Sequence, residues 1–208
     1  MPVHGWFSTP IYIHDCEGED YEVIQEELVE VVNQLDFDHN SLFEGAFGKS
    51  TLKLNIEGFG QSILHNYSCN NFLGYLHNHL MEYLNQIGSD ETPYLLKESW
   101  FTETTEGQYA HQHDHGAFDV SGVYYINTSG EDGNLYLTNV LSYLSSNYIY
   151  DKVINPMEIP PKNGRLLLWP GLIPHGTRIN KTDSRRISLS FNIQFLRDGF
   201  TLKTTKST

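Results

Sequence analysis

Three histidines stand at alternate positions in Gly107-Gln108-Tyr109-Ala110-His111-Gln112-His113-Asp114-His115. Alternate side chains of an extended strand share one face, and neutral imidazole is the commonest side-chain metal ligand near neutral pH. One strand can therefore deliver two ligands to one metal. A third has to come from elsewhere, and His175, in Leu172-Ile173-Pro174-His175-Gly176, is placed to supply it. Further on, Arg186-Ile187-Ser188 sets a guanidinium and a hydroxyl two residues apart. On a strand both face the same way, and the planar guanidinium fork suits a carboxylate. Two close histidines, one distant, then Arg-x-Ser predict a mononuclear metal site beside a carboxylate-binding pocket. A histidine run alone is a weak signal, because His repeats also occur in surface loops. Its position mid-chain, between apolar strand-like segments, sets it apart from a tag.

The elements that must position these residues change character along the chain. Trp6 to Ile13 reads as a short strand, with Pro10 favouring an edge or a bulge. In Tyr21 to Leu35, Ile24, Leu28, Val31 and Leu35 recur at helical spacing with acidic residues between them, which predicts an amphipathic helix. Residues 36–60, rich in Asn, Gly and Phe, predict irregular structure. A second helix is expected from about Asn70 to Ile87, with a Leu-rich stripe and Gly88 as its stop. His77 and His79 then fall on that helix, at its surface or packing edge.

From residue 95 the period becomes that of strands. Residues 97–104, 119–127, 134–138, 165–169 and 185–196 are β-branched and aromatic, and most are bounded by Gly, Pro or Asn. Ser129-Gly130-Glu131-Asp132-Gly133 reads as a hairpin turn. Short strands separated by turns predict a mainly β fold with N-terminal helices, a sandwich or jelly roll and not a parallel α/β sheet. The expected organisation is a single domain: a helical part over about 1–95, a β core over about 96–197 and a loose tail over 198–208. Asn139 to Lys162, with Tyr143, Tyr148, Tyr150 and three prolines, is long for a connection in a compact domain and reads as a lid.

Composition narrows the function classes. At 208 residues with 39% hydrophobic and 13% aromatic residues, the chain can bury a core and is not of the disordered class. A formal charge of −13 argues against non-specific binding to nucleic-acid backbone, which needs a basic surface. No run approaches the roughly 18 apolar residues of a membrane span, and no leader opens the chain, so a soluble cytoplasmic protein is expected. Cys16 and Cys69 lack metal-ligand spacing and read as free thiols.

Gly107, His113-Asp114-His115 and Ser121-Gly122-Val123-Tyr124-Tyr125 form a block of the type G-x5-H-x-H-x5-SGVYY. Gly164 to His175 forms a second, like GxLLLFPxxLxH, and Arg186-Ile187-Ser188-Leu189-Ser190-Phe191-Asn192 follows it as RISxSFN. These blocks resemble the iron(II) and 2-oxoglutarate-dependent oxygenases, more narrowly an oxygenase family common in phage and bacterial genomes. The resemblance spans roughly residues 100–196. It implies a double-stranded β-helix, a jelly roll, in which His113, His115 and His175 hold Fe(II). It implies that Arg186 binds the distal carboxylate of 2-oxoglutarate, with Ser188 adding a hydroxyl and Tyr125 a further contact. The implied activity is dioxygenase chemistry: O2 and 2-oxoglutarate are consumed, succinate and CO2 released, and a primary substrate of unknown identity hydroxylated. A phage-encoded protein acting in its host's cytoplasm would fit the narrower family.

One departure stands out. His115 takes the position that most of the wider superfamily gives to Asp, whereas the usual facial triad is two His and one carboxylate. His111, Asp114 and Asp119 are nearby alternatives, although on an uninterrupted strand Asp114 faces away from His113. Arg185 is the alternative to Arg186 but falls on the face opposite Ser188. Tyr124 and Tyr125 also suit an ordinary jelly-roll core. Two other readings compete. Gly107, His113, His115 and Asp119 fit a cupin block of the type G-x5-H-x-H-x3–4-E, which would give a metal-dependent enzyme without 2-oxoglutarate. The second cupin block fits poorly, because Pro170 is followed directly by Gly171. A non-catalytic jelly-roll module would leave the histidines incidental.

Overall fold

A computed structural model describes residues 9–39, 48–52, 61–89, 92–116, 118–138 and 156–196. Two helices and two antiparallel sheets carry the architecture. Strand β1 (Tyr12–Asp15) leads into helix α1 (Gly18–Gln34), followed by the two-residue strands β2 (Asp38–His39) and β3 (Lys49–Ser50). A single turn, α2 (Ile63–Asn66), precedes helix α3 (Asn70–Gln86). The remaining strands are β4 (Tyr94–Thr104), β5 (Val120–Asn127), β6 (Leu135–Leu137), β7 (Met157–Ile159), β8 (Arg165–Pro170), β9 (His175–Thr177) and β10 (Arg186–Phe195). The large sheet runs β1-β8-β5-β10-β4-β3-β2 and the small one β7-β6-β9.

Side-chain alternation along the strands sorts the residues into two cores. On β10, Ile187, Leu189, Phe191 and Ile193 face the helices, where they join Val120, Tyr124 and Ile126 of β5 and Leu166 and Leu168 of β8. The stripe of α1 (Ile24, Leu28, Val31, Val32) and that of α3 (Phe72, Leu76, Leu80) close this core. Phe72 meets Tyr124 and Phe191 edge-on, with ring centroids 5.1 and 6.2 Å away. The alternate residues Val123 and Tyr125 of β5, and Leu167 and Trp169 of β8, enter a second core, against Leu135, Leu137 and Ile159 of the small sheet. The helices are also tied to each other. The Glu27 carboxylate of α1 accepts the Asn71 and Phe72 N–H groups at 3.0 and 2.8 Å, satisfying donors that the start of α3 leaves open.

The two long helices and the five main strands lie within a few residues of where their periodicity puts them. Four expectations need correction. The N-terminal strand is formed by Tyr12–Asp15, later than Trp6 to Ile13, and residues 1–8 lie outside the described set. Within 36–60, taken as irregular, β2 and β3 add two short strands at the sheet edge. The segment at 129–133 is not a hairpin turn: β5 belongs to the large sheet and β6 to the small one, so the loop crosses between sheets. The buried Asp132 organises that crossing by accepting Thr128 Oγ1–H at 2.6 Å and the Ser129 N–H at 2.8 Å. Glycines mark a change of direction, but they do not say which strand receives the chain. Finally, Met157–Ile159 of the expected lid is a strand paired with β6, while 139–155 and the tail from 197 lie outside the described residues.

The glycine of the SGVYY block has a packing reason. A Cβ at Gly122 would lie 2.4 Å from the Phe191 ring and 2.8 Å from the Leu167 carbonyl oxygen, both in the core. Gly122→Ala should therefore lower unfolding stability by about 1–3 kcal/mol, the usual cost of overpacking a tight interior. Urea denaturation checks this; a midpoint unchanged at constant m-value would show that the sheet yields freely there.

Candidate metal centre

His113, His115 and His175 converge, with one ligand nitrogen from each lying within 4.8 Å of the others. Among the described residues they form the one such group of three or more His, Cys, Asp or Glu side chains. The ring centroids are 4.5 Å (His113–His175), 4.9 Å (His115–His175) and 5.1 Å (His113–His115) apart. Residues 107–115 are not a regular strand, contrary to the extended segment expected there. Only His113 pairs, in an isolated antiparallel bridge with His175: each N–H donates to the other's carbonyl, at 2.9 and 2.8 Å. The His115 N–H donates to the Gly171 carbonyl at 2.9 Å. The Thr177 N–H also donates to the Ala110 carbonyl at 3.0 Å, so the loop is pinned at three points to the turn and strand that carry His175.

The imidazoles are oriented for metal binding by what holds their outer nitrogens. Nδ1 of His113 lies 2.7 Å from the His111 carbonyl oxygen, and Nδ1 of His175 lies 2.8 Å from that of Ile173. A carbonyl can only accept, so in both rings Nδ1 carries a proton, and in the neutral ring Nε2 is the nitrogen with the free lone pair. Nδ1 of His115 lies 2.5 Å from Asn192 Oδ1. Burial and the neighbouring imidazoles hold His175 down to about 3, and burial likewise pushes His115 below the usual imidazole range. Neutral rings with inward lone pairs are what a divalent cation requires.

The alternatives to these three are otherwise engaged. The His111 ring packs against Tyr109, with centroids 4.7 Å apart, and the residue contributes its carbonyl to His113. Asp114 accepts the Gly116 N–H at 2.9 Å, and Asp119 accepts the Phe195 N–H at 2.8 Å. The cupin block needs Asp119 at the metal, and its carboxylate instead fastens the end of β10. His77 and His79 lie on α3 away from this centre, as expected, with His79 bonded to Tyr12 Oη at 2.7 Å.

The three histidines line a cavity of about 490 Å³ between the two sheets, walled partly by Trp100, Tyr109, Phe118 and Trp169. Arg186, Ser188 and Tyr125 line the same cavity. Arg186 is buried, and its Nη1 donates to the carbonyls of Asp132 (3.0 Å) and Gly133 (2.7 Å), which fixes the plane of the guanidinium. Gly133 has φ +102°, and a Cβ there would sit 2.2 Å from the Arg178 carbonyl oxygen, so this cradle requires glycine. Arg185 points elsewhere and pairs with Glu103. Tyr124 is core on the helix side, whereas Tyr125 is on the cavity side, with burial raising its phenol.

Four further cavity residues escaped the sequence reading. Ser190 and Asn192 continue the alternation begun by Arg186 and Ser188, and the RISxSFN pattern carried that signal. Thr104 stands opposite Arg186 in the β4–β10 register, and Glu98 stands opposite Asn192. Nothing in the β4 segment marks them apart from its strand period. Buried Thr104 Oγ1 and Trp169 Nε1 have no hydrogen-bond partner among the described residues. Both belong to residues that line the cavity, as donors for a bound ligand would.

The two antiparallel sheets have the arrangement of a double-stranded β-helix. Residues 98–192 match the family model described as "Putative 2OG-Fe(II) oxygenase". Solved structures agree in fold. A 2OG-Fe(II) oxygenase-family oxidoreductase from Burkholderia pseudomallei superposes with a TM-score of 0.61 at 10% identity, covering 87% of this chain and 92% of the other. A Pseudomonas putida prolyl-4-hydroxylase gives 0.61 at 12%, covering 90% and 94%. HygX of Streptomyces hygroscopicus, with nickel, 2-oxoglutarate and hygromycin B bound, gives 0.57 at 14%, covering 89% and 83%. No curated protein matches in sequence.

If the three Nε2 atoms form the centre, the anaerobically purified protein should bind about one Fe(II) or Co(II) per chain. His175→Ala should then lose more than the ~10–100-fold in affinity typical of outer-shell changes, whereas His111→Ala should bind nearly as wild type. Anaerobic metal titration reads both; full affinity in His175→Ala would remove it from the centre.

Proposed function

We propose that this protein is a Fe(II)- and 2-oxoglutarate-dependent dioxygenase in which His113, His115 and His175 hold the iron and Arg186 anchors the co-substrate. The observation that carries the reading is the placement of a buried, plane-fixed guanidinium in the same cavity as three converging imidazoles. A cupin-type site has no use for that arginine, and a structural module has no use for either.

Bound iron with 2-oxoglutarate and O2 supplies an oxidant able to attack an unactivated C–H bond, with succinate and CO2 as the co-products. The chain's own part is positioning and exclusion of water. The His111 and Ile173 carbonyls and Asn192 fix the three rings, so the ligand set does not reorganise on loading. Arg186, held at Nη1 by two carbonyls, offers its other donors to the distal carboxylate, and Nη2 already lies 3.4 Å from Thr177 Oγ1. Ser188, two residues on along β10, and Thr104, opposite Arg186 on β4, supply hydroxyls, and Tyr125 of β5 closes that end. At the other end, Trp100, Tyr109 and Phe118 form an apolar surround for the substrate carbon.

The primary substrate is a small molecule or a side chain that this cavity admits. No helix among the described residues is long and apolar enough to cross a membrane. We place the enzyme in the cytoplasm, of a phage host if the narrower family resemblance holds.

A bidentate, charge-assisted contact contributes roughly 1.5–3 kcal/mol. Arg186→Ala should therefore weaken 2-oxoglutarate binding by about 10–100-fold while retaining iron. Arg186→Lys should recover only part, because an ammonium lacks the fork, and Arg185→Ala should change little. Anaerobic titration of the iron–2-oxoglutarate charge-transfer absorbance measures each. Wild-type protein that binds iron but develops no such band at millimolar 2-oxoglutarate would overturn the proposal.

A further inference from the structure

Resting on that site assignment, we propose that Glu98 and Asn192 are positioning residues for the metal: Glu98 is the displaced carboxylate of an all-histidine centre, acting on His115 through the Asn192 amide. Three observations carry this. Asn192 is buried, and its Oδ1 lies 2.5 Å from His115 Nδ1 and accepts Ser121 Oγ–H at 2.8 Å. Its Nδ2 donates to Glu98 Oε2 at 2.9 Å. Ser121, Asn192 and Glu98 stand directly opposite one another on β5, β10 and β4, so the sheet itself holds the row in line.

The logic of donors and acceptors runs one way along this row. A carboxylate can only accept, so Glu98 dictates which end of the Asn192 amide faces it: the NH2 group. Oδ1 is thereby turned to His115 and can only accept there. The proton of His115 must then sit on Nδ1, and Nε2 is left as the ligand. For His113 and His175 a backbone carbonyl performs this task. His115 has a side-chain partner, Asn192, and that partner is symmetric enough to flip unless something holds it. Glu98 is buried at 7% exposure, and it is the carboxylate in the cavity wall nearest in the hydrogen-bond chain to the ligand that replaces the usual Asp. Its charge also offsets part of the positive charge that three neutral ligands leave on a divalent cation.

The test compares wild type, Glu98→Gln, Glu98→Asp, Asn192→Ala and Asn192→Asp by anaerobic Co(II) and Fe(II) titration, with no turnover involved. Proton NMR of the Co(II) forms adds the hyperfine-shifted imidazole N–H signals, and the melting temperature of each metal-free protein controls for folding. Glu98→Gln preserves size and can still accept from Asn192, but removes the charge and no longer dictates the amide's orientation. It should weaken metal binding by about 10-fold or more, move or broaden one of the three N–H signals while leaving two in place, and melt as wild type without metal. Glu98→Asp should recover part of the affinity. Asn192→Ala should lose the same N–H signal, and Asn192→Asp, which presents an acceptor-only oxygen to His115, should retain it.

Metal affinity in Glu98→Gln within a factor of two of wild type, with all three N–H signals unmoved, would overturn the inference and leave the histidine centre standing. Wild-type protein that binds no metal would overturn the centre and this inference together.

Discussion

Strand β10 is buried on both faces, and the two faces carry opposite chemistry. Ile187, Leu189, Phe191 and Ile193 are sealed beneath the helices, while Arg186, Ser188, Ser190 and Asn192 line the cavity between the sheets. Because the side-chain period of a strand is two, a one-residue slip would put the guanidinium into the apolar core and phenylalanine into the site. The burial of the apolar face against α1 and α3 therefore fixes the register of the functional face. The helices contribute no residue to the histidine cluster, yet through β10 they set where Arg186, Ser188, Ser190 and Asn192 stand. β4 and β5 flank β10 and bring Glu98, Thr104, Ser121 and Tyr125 to matching heights.

The centre itself depends on a strand-like contact in an irregular loop. The reciprocal bridge between His113 and His175, the bond from His115 to Gly171, and the bonds joining Gly107, Gln108 and Ala110 to Asn180 and Thr177 tie the loop down. At Gly171 a Cβ would meet the Phe118 carbonyl oxygen at 2.3 Å, so close approach of the two chain segments needs glycine there. The histidines are thus held by backbone pairing and oriented by fixed acceptors, and burial keeps His115 and His175 neutral. Loading a cation into such a set requires little proton release and little movement.

Much of this was legible in the chain because the relevant signals are local. The stripe of Ile24, Leu28 and Val31, the leucines of α3 and the alternation of 186–196 each report their own element. The clustering of the three histidines and of Arg186 in one cavity was legible because their chemistry is unusual enough to stand out from a strand. What escaped depends on pairing between distant segments. Glu98 and Thr104 acquire meaning only from what faces them on β10, some 80 to 95 residues away in sequence. The crossing at 128–133 reads as a hairpin because its glycines encode a turn, while the receiving sheet is decided by Asp132 and by the cradle it builds for Arg186. β9 is three residues long and contains Gly176, too little for any period to declare itself.

The central claim is that one cavity holds a cation on three imidazoles and a carboxylate on Arg186. A crystal structure of the anaerobic protein with Fe(II) and 2-oxoglutarate tests both halves at once. The account predicts iron on Nε2 of His113, His115 and His175, with one carboxylate of the keto acid on the metal and the other on the Arg186 guanidinium. Iron bound instead through Asp114, Asp119 or His111, or 2-oxoglutarate seated away from Arg186, would contradict it.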